Sequence, residues 1–238
     1  VGVIGAKILQ LLPDIPRWIY ARWMILSGKG RIYYDENIAG SSFIIQHPTN
    51  GLTCFIGKPD IDTMQKSLTS IDVPVSIIGY EENYRYIESQ LKGFEKSQAT
   101  LYTLSDELPE YYAADSTIRF VKKNDIENTH HIPDDLRKEL SDALLSSPVA
   151  ALFTGDHPVS FCYVAAETET LWDVAIDTLE PYRNRGFAAA TVRFMIEYMS
   201  TKGKRPVWGA EETNPVSSHL AIKLGFKPID KLYLFHKK

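Results

Sequence analysis

Residues Leu171 to Phe226 constrain the fold of this chain more than any other stretch, and at their centre stands Arg183-Asn184-Arg185-Gly186-Phe187-Ala188. Ahead of that turn, Leu171 to Thr178 (LWDVAIDT) is dense in apolar and β-branched residues and reads as a buried strand. Behind it, Ala188 to Met199 sets Val192, Met195, Ile196 and Met199 at helical spacing on one face. The junction is therefore a strand, a basic turn and a helix. A turn that opens a helix leaves backbone N–H groups unpaired, and the helix dipole adds partial positive charge there, so the place suits an anion. Gly186 lets the backbone come close to that anion, Ala188 keeps the next contact small, and Arg183 and Arg185 add charge.

The pattern Arg-x-x-Gly-x-Ala between a strand and a helix resembles the acyl-CoA pyrophosphate loop of the GNAT superfamily of N-acyltransferases. Downstream, Asn214-Pro215-Val216-Ser217-Ser218-His219-Leu220-Ala221-Ile222-Lys223-Leu224-Gly225-Phe226 is similar to that family's second signature, in which an Asn opens a helix and Leu-Gly-Phe closes it. Either half alone is a short string; their order and separation give the pair its specificity. The resemblance covers the second half of the chain.

It implies an α+β, layered α/β fold: a mixed, mostly antiparallel, splayed sheet flanked by helices and preceded by a smaller α/β domain. The fourth and fifth strands of such a sheet diverge, and the opening admits the thioester arm of acetyl-CoA (acyl-CoA), the implied co-substrate, with no metal. By the same resemblance the pyrophosphate sits on the N–H groups of Arg185 to Ala188, with Arg183 and Asn184 beside it. The pantetheine amides pair with the strand edge around Ala175 to Thr178, as an added strand would. Backbone N–H groups of a bulged fourth strand near Ile176 to Thr178 serve as oxyanion donors. Asn214, with Ser217 in the following turn, falls at the cofactor's arm; Asn214 before Pro215 equally suits a helix N-cap.

Acyl transfer to an amine needs a neutral amine, a stabilised oxyanion and a proton for the departing thiolate. Glu211 and Glu212, directly after the fifth strand, are the leading candidates for the base, ahead of Glu167 and Asp177. Each of these acids would look the same as a solvated surface group. Many family members place a Tyr seven residues after the Asn, and here that position is Ala221. Ser217, Ser218, His219 or Tyr233 takes its part, or the thiolate leaves unaided, since thiols ionise well below alcohols.

The rest of the chain sets the frame. With 238 residues, two domains are a reasonable division, drawn at 1–115 and 116–238 across the Asp106 to Asp115 connection. A net charge of -4 and a pI near 5.9 argue against a nucleic-acid partner. Cys54 and Cys162 sit in apolar, strand-like runs and make no disulfide framework, which fits a reduced cytoplasmic compartment. The opening residues are apolar but short and carry Lys7, so neither a signal peptide nor a membrane partner is expected. Strand and helix runs alternate before residue 105, with an Asn50-Gly51 hairpin turn and a helix over Glu81 to Phe94. Their order allows the first half to be a degenerate copy of the second. Trp18, Ile19, Trp23 and Met24 read as the buried side of a helix. His130-His131 lacks companion ligands at metal spacing and reads as a solvated loop.

The expected activity is N-acetyl transfer to a small-molecule or peptide amine. Two alternatives stand beside it: a non-catalytic acyl-CoA sensor or interaction module, which Ala221 favours, and a nucleotide phosphate loop, which lacks its usual glycine and lysine pattern. The first domain would shape the acceptor side or make a homodimer contact.

Overall fold

A computed structural model describes residues 2–34, 42–104, 117–127, 129 and 131–237. In chain order the elements of the first half are α1 (Val3–Leu11), α2 (Ile19–Leu26), β1 (Arg31–Tyr34), β2 (Phe43–Gln46), β3 (Leu52–Ile56), α3 (Ile61–Leu68), β4 (Ser76–Gly79), α4 (Tyr84–Gln90) and β5 (Phe94–Leu104). Those of the second half are β6 (Thr117–Phe120), α5 (Lys123–Glu127), α6 (Asp134–Leu144), β7 (Ala150–Thr154), β8 (His157–Glu167), β9 (Leu171–Thr178), α7 (Phe187–Ser200), β10 (Arg205–Glu211), α8 (Pro215–Lys223) and β11 (Phe226–Lys237). They divide into two compact units. The first comprises Val1–Tyr102, Gly209–Ser218 and Pro228–Lys238; the second comprises Thr103–Trp208 and His219–Lys227. The expected boundary near residue 115 lies outside the described residues. The last two segments of the first unit come from the C-terminal part of the chain: the Glu212 N–H bonds to the Gln98 carbonyl at 2.9 Å, and β11 forms a ladder with β4 from Tyr233↔Gly79 to His236↔Ser76.

In the first unit the strand order is β1-β2-β3-β4-β11-β5. β1, β2 and β3 are an antiparallel meander, and β4 runs parallel to β3. The hairpin between β2 and β3 turns at Gly51, whose φ is 74° and where a Cβ would stand 1.9 Å from the Pro74 carbonyl oxygen. Only glycine meets both conditions. Ile44, Phe55, Met64, Ile77, Ile87, Tyr233 and Phe235 form the core on one face. Ile19 and Met24 of α2 are fully buried, Trp18 lies against Tyr80 and Trp23 stacks on His47, so the aromatic run of α2 is packing. Buried Arg22 donates to the Leu9 and Leu12 carbonyls, which supplies the C-terminal end of α1 with partners that a helix end otherwise lacks.

In the second unit the order is β10-β9-β8-β7-β6, antiparallel from β6 to β9, with β10 parallel to β9. α7 covers one face through Val192, Met195, Ile196 and Met199, all buried as their spacing predicts. On the other face, Ile126, Ile132 and Leu140 of the α5–α6 region pack on Phe161 and Tyr163. The mixed, mostly antiparallel sheet flanked by helices is the fold class expected. In chain order both halves run through the same series: antiparallel meander, helix, parallel strand, helix, strand. Two local readings differ. The helix expected to reach Phe94 stops at Gln90, because Lys92-Gly93 turns the chain into β5, and α5 was too short to show a helical period. No helix among the described residues is long and apolar enough to cross a membrane.

α5 is pinned by one ion pair. Asp125 accepts from Arg119 Nη1 at 2.7 Å and Nη2 at 2.9 Å, and from the Lys122 N–H at 2.7 Å. The Arg119 guanidinium holds the Asp125 carboxyl below its ordinary 3.8. A carboxyl lowered on folding stabilises the folded state above its unfolded pKa, and that contribution is lost as pH falls through the folded value. Asp125→Asn is therefore expected to cost up to about 1 kcal/mol at pH 7, the scale of a part-exposed pair. The difference from the parent should be smaller at roughly pH 3, below the ordinary aspartate value, and should go on falling as pH passes through the lower folded one. Urea midpoints at the two pH values check this.

Candidate active site

The site begins where β9 and β10 part. Their parallel ladder holds three pairs, Leu171↔Arg205, Trp172↔Pro206 and Asp173↔Val207, and ends there while β9 continues to Thr178. The Leu179 N–H bonds to the Val159 carbonyl, and residues alternate sides along an antiparallel ladder, so Asp177 and Ala175 also direct their backbone groups to β8. Thr178 and Ile176 consequently turn their N–H and C=O groups the other way, with the Val174 carbonyl beside them. The Arg205 N–H bonding to Thr170 on that side, at 2.8 Å, gives the same parity. A strip of backbone donors and acceptors is thus left open along β9, centred on Ile176. The residues named from sequence, Ile176 and Thr178, are the ones whose amides face it.

The expected bulge is on the neighbouring strand instead. Between Val164↔Val174 and Glu167↔Trp172 the register shifts by one, so Ala165 and Ala166 of β8 oppose Asp173 alone. From Val174 to Thr178 β9 pairs with β8 without irregularity. Sequence shows no difference between two adjacent apolar strands in this respect.

After β9 the chain makes a short 3-10 turn, Glu180–Tyr182, and reaches α7 through two left-handed residues, Asn184 at φ 62° and Gly186 at φ 80°. Asn is among the few non-glycine residues that accept this conformation. Gly186 is the N-cap of α7 and carries no side chain to close it; the first intrahelical bond is the Ala190 N–H to the Gly186 carbonyl, at 3.1 Å. The N–H groups of Phe187, Ala188 and Ala189 precede that bond. Arg183, Asn184 and Arg185 are exposed, Gly186, Phe187 and Ala188 are half-buried and Ala189 is buried, so the chain from Arg185 to Ala188 is not sealed in the interior, and no side chain caps the helix. Arg183 Nε donates to the Thr178 carbonyl at 3.0 Å, which ties the turn to the end of the open strip. Arg185 lies over the Tyr182 ring, its guanidinium carbon 5.5 Å from the centroid. A diphosphate fits the helix start by charge and by donors, and an amide-bearing arm fits the strip.

The remaining residues fall in different places. Asn214, Ser217, Glu211 and Glu212 lie in the Gly209–Ser218 segment of the first unit. Asn214 caps α8: its Oδ1 accepts the Ser217 N–H at 3.1 Å, which settles that half of its double reading. Glu211 and Glu212 are exposed at the end of β10, the first accepting a 3.4 Å bond from the Thr213 hydroxyl and the second 3.9 Å from Lys231. Glu167 is paired with Lys204 at 2.9 Å. It stands opposite Trp172, six residues or roughly 20 Å along β9 from Thr178. Asp177 accepts from the buried Tyr163 hydroxyl at 3.1 Å, a pairing that nothing in the sequence announced. Burial and the nearby Asp177 and Glu139 carboxylates push that phenol above its ordinary range.

Ala221 is fully buried. Tyr233 bonds to Glu81 and stacks on Tyr84, which pushes its hydroxyl up to about 12, first through the Glu81 bond. It is a weaker proton donor than an ordinary Tyr. His130 lies outside the described residues; His131 sits edge-on to His157, and among the described residues no cluster of three or more metal-ligating side chains occurs.

This geometry has close counterparts. A GNAT acetyltransferase family model matches residues 20–235, which brings most of the first half, left without a resemblance by its sequence, inside the same match. The uncharacterized N-acetyltransferase YdfB of Bacillus subtilis (strain 168) is 31% identical over 86 residues, 36% of this chain and 33% of that protein. The match thus spans about a third of the curated relative's length. A GCN5-related N-acetyltransferase-like protein from Streptococcus suis 89/1591 superposes with a TM-score of 0.71 at 17% identity, covering 98% of each chain. A GCN5-related N-acetyltransferase from Kribbella flavida gives 0.66 at 15% identity, covering 95% of this chain and 96% of that one. At such identities the structures speak for the fold alone, and the extent of the family match decides the membership: the chain belongs to the GNAT acetyltransferase family.

Proposed function

We propose that the protein is an N-acetyltransferase that moves an acetyl group from acetyl-CoA to a primary amine of a small molecule or peptide, by direct attack within a ternary complex. Family membership implies acyl transfer from an acyl-CoA. The observation that carries the finer reading is the open strip of β9 running into the uncapped start of α7. The N–H groups of Arg185 to Ala188 take the diphosphate, with Arg183 and Arg185 supplying charge. The Val174 and Ile176 carbonyls hold the pantetheine arm as a strand would. Acetyl-CoA itself brings an activated carbonyl and a thiolate that leaves readily. The Ile176 or Thr178 N–H then polarises that carbonyl, a donor whose loss in comparable sites costs about a hundredfold or more in rate. Glu211 and Glu212 are our candidates to take the amine proton, on the chemistry of the step.

Proton delivery to sulfur has no dedicated Tyr here. Ala221 is buried and Tyr233 is engaged with Glu81, which leaves Ser217, Ser218 or His219 as the donor, or departure of the thiolate unaided. The same feature favours the sensor as a second reading, in which the pocket binds acyl-CoA without turnover. Thiol release from acetyl-CoA across a panel of primary amines separates the two. Binding accompanied by release with at least one amine supports the enzyme; binding with no release across the panel favours the sensor.

Gly186→Glu places a like charge and a strained side chain at the helix start. It should weaken acetyl-CoA binding by about a hundredfold or more, roughly 2.7 kcal/mol. Arg183→Ala should weaken it about tenfold, the scale of one charge-assisted bond, with the unfolding midpoint within a degree or two of the parent. Titration calorimetry on the three proteins measures both. Parent-like affinity in Gly186→Glu would remove the loop from the site.

A further inference from the structure

The first unit repeats the frame of the site just described and differs from it at each place where a ligand would touch. β3 and β4 form a parallel ladder of three pairs, Leu52↔Ser76, Thr53↔Ile77 and Cys54↔Ile78, and then part, as β9 and β10 do. The His47 N–H bonds to the Leu52 carbonyl and the Ser76 N–H to the Gly51 carbonyl, so the odd-numbered residues of β3 face the side that β4 leaves. Counted along the chain from the last paired step, Phe55, Gly57 and Pro59 correspond to Val174, Ile176 and Thr178, although β3 ends at Ile56 and Gly57, at φ 62°, turns the chain out of the strand where β9 runs on to Thr178.

Here the strip is filled. Asn83, the residue that opens α4 just as Asn214 opens α8, is 1% exposed; its Nδ2 donates to the Phe55 carbonyl at 2.7 Å and the Gly57 carbonyl at 2.8 Å. Its Oδ1 accepts the Tyr80 N–H at 2.7 Å, so the whole amide is in use. Tyr86 donates its hydroxyl to the Pro59 carbonyl at 2.7 Å, and Pro59 has no N–H to offer. The start of α3 is likewise taken. Asp60 accepts the Thr63 N–H at 2.8 Å and the Thr63 hydroxyl at 2.9 Å, placing a carboxylate where an anion would sit.

We infer that the first unit is a second copy of the acyl-CoA-binding frame, filled by the chain's own Asn83, Tyr86 and Asp60, so that each chain binds one molecule of coenzyme A through the second unit. Asn83 supplies the two amide donors that a pantetheine arm would bring to a strand edge, and Asp60 supplies the anion. The inference rests on the acyl-CoA reading of the second unit.

Titration calorimetry of the full chain with coenzyme A counts the sites, and hydrogen exchange with and without coenzyme A locates them. The expected result is one site per chain, with protection confined to residues 174–190. Gly186→Glu should abolish it; if that variant loses cooperative unfolding, Arg183→Glu with Arg185→Glu serves, since both side chains are exposed. Two sites per chain, one of them surviving these variants, or protection over residues 55–64 beside that over 174–190, would overturn the inference while leaving the acyl-CoA reading intact; a lone site that survives the variants would overturn both. No binding and no protection anywhere would overturn that reading, and the count of one with it.

Discussion

The early end of the β9–β10 ladder is the constraint on which the second unit depends. Backbone N–H and C=O groups withheld from a neighbouring strand must meet water or another partner, so two parallel strands that part after three pairs leave a run of demands along one edge. One strand away, Ala165 and Ala166 oppose Asp173 at the level where β10 departs, and a bulge of this kind sharpens the twist of the strands beside it. From Val174 onward β9 keeps its ladder with β8 intact beside the opening.

The same opening recurs between β3 and β4, yet the two units treat it in opposite ways. In one, a buried amide and a phenol satisfy the edge and a carboxylate caps the helix. In the other, the edge is left to the Arg183 contact at one end and the helix begins on a glycine. The physical difference is small: an Asn turned inward and an Asp in place of a Gly at the helix entrance. The consequence is large, because a self-satisfied edge gives rigidity and an unsatisfied one gives a place to bind.

Much of this was legible in the sequence, and the reasons are local. Leu171 to Thr178 and the helix after Gly186 announced themselves through residue type and period, and their observed limits are Leu171–Thr178 and Phe187–Ser200. The Asn50-Gly51 turn needed only backbone sterics. The partnerships that depend on distant segments were not legible. Nothing around Asn83 says that its amide reaches Phe55 and Gly57, and nothing around Tyr163 names Asp177. The bulge was misplaced by one strand because register is a property of pairs. The assignment of Gly209–Ser218 and Pro228–Lys238 to the first unit was equally invisible, since it shows only in the Glu212–Gln98 bond and the β4–β11 ladder.

That ladder has a consequence for how the chain comes into being. Tyr233 meets Glu81 across 152 positions, and β4 finds its antiparallel neighbour, β11, at the same remove along the chain. During synthesis the first unit therefore waits on the ribosome with one edge of β4 bare, a state in which an apolar strand is open to wrong partners. Contacts this far apart also make closure slow compared with the hairpins that surround it. A nascent chain of this design has reason to keep β4 to four residues and to follow it at once with the polar Glu81-Glu82-Asn83, which shortens the length of unguarded edge while the remainder is being made.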